Sequence, residues 1–142
     1  RSVEYGNRNA DFHVIVSNTS DAPRRVWRES CSQGWLALTF ECKDENGESW
    51  VASRKARLWT RNVPDWWTLE PHESLVMDVS FADPETWQGF PEPGSSPRTV
   101  TMRAILDYKP DDEARQHSIW TGRVTSKAER IRFYRSPVQN GE

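Results

Sequence analysis

An all-β fold, an antiparallel β-sandwich of seven to nine strands, is what this chain predicts, and three observations carry that reading. Apolar residues recur at every second position along most of the sequence, the period of a strand with one buried face. Clusters of Gly, Pro, Asn, Asp and Ser interrupt these runs roughly every 8–12 residues, the spacing of a sandwich built from short strands. No amphipathic stretch exceeds two helical turns. At most one short helical turn is expected, near 83–88, with Asp83 as N-cap and Pro84 at the first helical position.

The elements follow in order. Phe12 to Ser17 alternates as a strand and ends in the turn Asn18-Thr19-Ser20-Asp21-Ala22-Pro23. Arg25-Val26-Trp27 begins a short second strand. Trp35 to Cys42 is expected to place Leu36, Leu38, Phe40 and Cys42 on one face. Asp44-Glu45-Asn46-Gly47 then reads as a hairpin turn, because Asn-Gly tolerates positive φ. Strand-like residues return at Trp50-Val51 and from Ala56 to Thr60. Trp67-Thr68-Leu69 enters the turn 70–73, and the next strand turns Leu75, Met77, Val79 and Phe81 inward. Residues 89–97 form the longest irregular loop. Val100, Met102, Ala104, Leu106 and Tyr108 share one face of a long strand, and Lys109 to His117 is a polar connection. Ile119–Ser126 and Ile131–Tyr134 complete the set, the latter an edge strand guarded by Arg130 and Arg132.

A length of 142 residues fits one domain, placed at 1–135 with a frayed tail at 136–142. Only 35% of the residues are apolar, yet net charge is −2 and 8 Trp with 3 Tyr supply large apolar bodies, so a core is within reach. The even charge argues against a nucleic-acid partner, since affinity for phosphates scales with the number neutralised. No apolar run approaches the length of a membrane span. The basic clusters Arg54/Lys55/Arg57/Arg61 and Arg123/Lys127/Arg130/Arg132/Arg135 read as solvated strand faces.

Signals for catalysis are weak. His13, His72 and His117 lie in no metal-binding or hydrolase motif, and no Ser stands in a nucleophile elbow. His13 reads as a residue of the sheet surface. Asp107, Asp111, Asp112 and Glu113 lack the spacing of a calcium loop and read as a solvated loop. The chain is therefore expected to be no enzyme, with no catalytic residue, no metal and no cofactor. Cys31 and Cys42 fit a disulfide across a short loop, and fit two buried thiols equally well. Asn18-Thr19-Ser20 satisfies the glycosylation sequon.

Tryptophan is the unusual feature. Trp27 and Trp120 sit among core strand residues. Trp66 and Trp67 are consecutive, so a strand sends them to opposite faces and at least one must be exposed or covered by a loop. Trp35, Trp59, Trp66, Trp67 and Trp87 are the candidate ligand-binding residues, either as a platform or as a satellite core under long loops. Arg57, Arg61 and Arg103 are the candidate partners for stacking on such rings.

Two stretches carry a family resemblance. Phe12-x-Val14-x-Val16-x-Asn18-Thr19-Ser20-Asp21-x-Pro23 is one, and Leu69-x-Pro71-x-Glu73-Ser74-Leu75 followed by Val79-x-Phe81 is the other. With the hairpin from Phe40 to Trp50 between them, they resemble bacterial immunoglobulin-like sandwich domains of the intracellular proteinase-inhibitor type, over about residues 12–108. His72 stands where such turns usually hold Gly. Ser32-Gln33-Gly34-Trp35 is similar to a stretch in uncharacterised Trp-rich bacterial proteins. The resemblance implies an immunoglobulin-like scaffold and no particular activity.

The resulting expectation is a non-catalytic binding module of a larger bacterial extracytoplasmic or envelope protein. Its contacts would come from loops around Ser30–Trp35, Asn62–Trp67 and Asp83–Pro97, with a protein or a glycan as partner. Two alternatives are a carbohydrate-binding module using an exposed Trp plane and a proteinase inhibitor using the loop 90–97.

Overall fold

Residues 2–5, 11–81, 85–91 and 97–135 are described by the computed structural model of the chain. Strands dominate, and they lie in two facing layers. The larger layer is one seven-stranded sheet centred on β4 (Leu38–Asp44) and β9 (Arg98–Tyr108), which pair antiparallel with Leu38 opposite Leu106 and Asp44 opposite Val100. β5 (Ser49–Arg54) continues the sheet beyond β4, followed by β8 (Trp87–Gln88) at one edge. On its other side the long β9 is shared. β11 (Glu129–Arg135) pairs with its first half and β10 (Gly122–Thr125) with its second half. β1 (Ser2–Tyr5) adds in parallel to β11.

The second layer consists of two ribbons in tandem. β2 (Asp11–Ser17) pairs with β7 (Ser74–Ser80), and β3 (Arg24–Trp27) pairs with β6 (Trp66–Leu69). Asn18 holds the break between them. Its Nδ2 donates to the carbonyls of Ala22, Leu69 and Glu70, while its Oδ1 accepts from the Ser20 amide and hydroxyl. A buried amide that satisfies this many backbone groups is a structural pin, so the sequon nitrogen is already in use. On the opposite arm His72 adopts φ 64, the left-handed conformation that Gly takes at least cost.

Alternation explains the interior. Phe40 and Cys42 of β4, Val100, Met102, Leu106 and Tyr108 of β9, and Met77 and Val79 of β7 are all buried, as the period of two requires. Aromatic edges join the layers: Phe12 meets Phe40 at 5.4 Å and Phe81 at 5.2 Å, and Phe81 meets Trp87 at 5.1 Å. Such edge-to-face pairs add about 0.5–1.5 kcal/mol each beyond area burial.

Several local expectations change. The described residues hold eleven strands, because the edge strands β1 and β8 are too short to announce themselves, whereas β10 falls within the expected strand Ile119–Ser126. Among the described residues two short helices occur, and neither lies near 83–88: residues 82–84 fall outside the described residues, Glu85 and Thr86 are turn, and Trp87 starts β8. α1 (Ser32–Trp35) occupies the expected start of a strand, so Leu36 caps a helix and is exposed. α2 (Asp112–Gln116) occupies the polar connection, capped by Asp111, whose carboxylate accepts from the Ala114 amide at 2.7 Å. Residues 55–65 form no strand. Cys31 and Cys42 are free and buried rather than bridged, and the Cys31 thiol lies 3.2 Å from the Arg28 carbonyl. The tail 136–142 lies outside the described residues.

Candidate binding surface

The segment 55–65 runs from β5 to β6 as an irregular strap across α1. Three sets of bonds pin it. At one end the Lys55 amide donates to the Thr86 carbonyl at 2.8 Å, and Trp35 Nε1 donates to the Lys55 carbonyl at 2.8 Å. Near the far end Asn62 and Ser32 bond reciprocally, with Ser32 N–H to Asn62 Oδ1 at 2.9 Å and Asn62 Nδ2 to Ser32 Oγ at 2.8 Å. Asp65 then accepts the Ser30 hydroxyl at 2.7 Å, and its carbonyl accepts the Arg28 amide at 2.9 Å.

Between these pins runs a ladder of rings and guanidiniums. Arg54 lies 5.2 Å from the Trp87 ring and 4.6 Å from the Trp35 ring. Arg57 lies 4.0 Å from Trp35 and 4.0 Å from Trp59. The order is therefore Trp87, Arg54, Trp35, Arg57, Trp59, each guanidinium shared by two indoles. Planar guanidinium suits this stacking, which an ammonium would do poorly. Arg54 is buried and ion-paired with Glu29, and its Nη1 donates to the Trp35 carbonyl at 3.2 Å. It is no member of a solvated strand face.

Sequence alternation sets what the strap shows to solvent. Arg57 stacks between Trp35 and Trp59, and Leu58 is 102% exposed. Val63, Leu36 and Trp67 are also exposed. Lys55, Arg57 and Arg61 make the segment basic, and no carboxylate occurs before Asp65.

A second aromatic group lies at β6. Trp66 meets Trp27 edge-on at 6.5 Å and His117 at 4.7 Å, and Arg25 sits 5.3 Å from the Trp66 ring. Arg25 Nη1 also donates to the His117 carbonyl at 2.9 Å. Trp67, on the opposite face of β6, carries Arg28 at 3.7 Å and is 41% exposed.

The five candidate tryptophans thus separate. Trp87 is core, 4% exposed, because β8 seals the sheet edge and carries it inward. Trp35 and Trp59 are half-buried in the ladder, Trp66 is half-buried against Trp27 and His117, and Trp67 faces outward. Of the expected ring partners, Arg57 stacks, whereas Arg103 binds Glu41 on the outer face of the sheet. The structure adds Arg54, Leu36, Leu58 and Val63 to these residues. The signal for Leu58 is present in Arg57-Leu58-Trp59: two residues able to stack on one side leave the middle one on the other.

The remaining titratable clusters have structural partners. Asp107 pairs with Lys109, Asp112 with Arg115, Glu113 with Gln33, and His13 pairs across strands with Asp78. Burial pushes the Cys42 thiol up to about 12. Tyr108 is also raised, by burial first and then by Glu29 and Cys31. Among the described residues no group of three His, Cys, Asp or Glu could hold a metal ion, and no helix is long and apolar enough to cross a membrane. The expected loop contacts at 83, 84 and 92–96 lie outside the described residues. The chain matches no known family model, no curated protein and no solved structure, so the reading of function rests on its own residues.

Proposed function

We propose that this chain is a non-catalytic interaction module that grips a protein partner through the strap at 55–65, with Leu58 as the anchor and the exposed Leu36, Val63 and Trp67 as further apolar contacts. One observation carries the reading. Leu58 is fully exposed while its two neighbours are stacked on each other, Arg57 lying between the rings of Trp35 and Trp59. A side chain presented by an ordered backbone loses little entropy on binding, which is how a short segment acquires affinity. The basic flanks favour a partner whose apolar pocket is rimmed by carboxylates. The setting we propose, from the sequence resemblance, is a larger bacterial extracytoplasmic or envelope protein.

Affinity capture with wild type, Leu58→Asp and the control Ile15→Ser tests this reading. A partner retained by wild type and Ile15→Ser but lost by Leu58→Asp, at equal thermal stability, supports it. Capture indifferent to Leu58→Asp overturns it.

A second reading, proteinase inhibition, draws support from the same strap, because a segment pinned at both ends with a fully exposed leucine suits a protease cleft. Inhibition of a leucine-accepting protease by the chain and not by Leu58→Asp would favour it. The glycan reading has less support, since Trp35, Trp59, Trp66 and Trp67 each already carry a guanidinium against the ring.

A further inference from the structure

A slot elsewhere on the sandwich lies between the two layers, where β10 and the end of β2 run along the same side. Among the described strands β10 pairs only with β9, and β2 pairs only with β7. Alternation of the ladder tells which peptide groups are left over. The Ser126 amide donates to the Ala104 carbonyl at 2.9 Å, so positions 124 and 122 point at β9 and the peptide groups of Arg123 and Thr125 point away from it. The Asn18 amide donates to the Glu73 carbonyl at 2.9 Å, which by the same count turns the peptide groups of Ile15 and Ser17 away from β7.

The slot is also a groove of about 210 Å³. Val16, Val26, Leu69, Trp120 and Val124 supply its apolar lining, and Arg24 supplies its charge. None of the residues that line it is acidic. Val124 is the side chain of β10 that enters the groove, and it is 45% exposed.

We propose that this slot accepts an extended peptide strand from a protein partner. The strand pairs with the open edge of β10, sets one apolar side chain against Val124 and Trp120, and brings a carboxylate to Arg24. Each requirement has its own source. The N–H and C=O groups that β10 turns away from β9, without a partner among the described residues, call for an extended backbone, the groove beside them takes alternate side chains, and the single cation Arg24, whose Nε donates to the Ser20 hydroxyl at 3.2 Å, selects an acidic sequence. This site shares no residue with the strap and stands independently of the function proposed for it.

Selection from a phage-displayed random dodecapeptide library against the intact chain is the test. Two variants accompany it. Thr125→Pro removes an outward N–H without touching the β9 ladder, a position where an edge strand tolerates proline. Arg24→Glu reverses the charge at an exposed position. The expected result is enrichment of peptides with alternating apolar residues and at least one Asp or Glu. Their binding should quench or shift Trp120 fluorescence, fall at least tenfold in Thr125→Pro, and switch toward basic sequences in Arg24→Glu. Absence of enrichment on wild type, or peptides that bind folded Thr125→Pro and Arg24→Glu as well as wild type, overturns the proposal. Self-association of wild type that Thr125→Pro abolishes, seen by sedimentation velocity, assigns the slot to a second copy and overturns it equally.

Discussion

Removing Arg54 would leave the Glu29 carboxylate without its cation and the rings of Trp35 and Trp87 without the group between them. Two terms therefore add at one residue: a half-buried charge loses its partner, and two cation–π contacts vanish. Breaking a fully buried pair costs about 3–5 kcal/mol, and Glu29 is partly solvated, so Arg54→Met is expected to cost roughly 2–4 kcal/mol. Arg54→Lys should recover less than half, because a point charge neither forks nor stacks. Arg57→Ala, at an exposed rung, should cost only about 1 kcal/mol. Urea unfolding of the three variants gives the order directly.

At the scale of elements, α1 shows how tightly the strap and β3 are fitted. A Cβ on Gly34 would lie 1.9 Å from the Arg28 carbonyl oxygen, with the backbone itself in the way. Gly34→Ala is therefore expected to destabilise by about 1–3 kcal/mol or more, and to loosen the strap through the Ser32–Asn62 pair, which thermal unfolding and amide exchange at 55–65 would show. The same element marks where the sequence is readable and where it is not. β4, β7 and β9 are legible because Phe40/Cys42, Met77/Val79 and Val100/Met102 alternate with polar residues, a local signal that burial of one face enforces. α1 is not legible, since four residues with a central Gly carry no helical period and their stability comes from contacts with Arg28 and Asn62. Residues 56–60 alternate like a strand yet pair with none among the described strands, because stacking of Arg57 between Trp35 and Trp59 takes the place of a ladder. The conflict between a platform and a satellite core was readable for Trp66 and Trp67 from their adjacency. The Arg54 rung was not, because it joins residues from three separate elements.

Across the whole molecule, burial of polar hydrogens ties stability to alkaline pH. The Cys42 thiol keeps its proton to about 12 when folded, against 9.0 ordinarily. Above 9.0 the unfolded chain loses that proton while the folded chain holds it, so the unfolded state is favoured further with each increase in pH. The stabilising contribution is complete below 9.0 and disappears as pH climbs toward about 12. Across that window wild type should lose about 1.4 kcal/mol more per pH unit than Cys42→Ala, as measured by urea unfolding. The raised Tyr108 hydroxyl acts in the same direction at higher pH and is common to both proteins.

The strap is the feature on which the functional reading depends, and its order in the free chain is directly measurable. Backbone 15N relaxation across residues 55–65 is the decisive experiment. Pinned at Lys55, Asn62 and Asp65 and stacked at Arg57 and Trp59, the Leu58 amide should give an order parameter of about 0.85, equal to that of the neighbouring strands. A value below about 0.6 at Leu58, with β5 and β6 remaining ordered, would contradict the account.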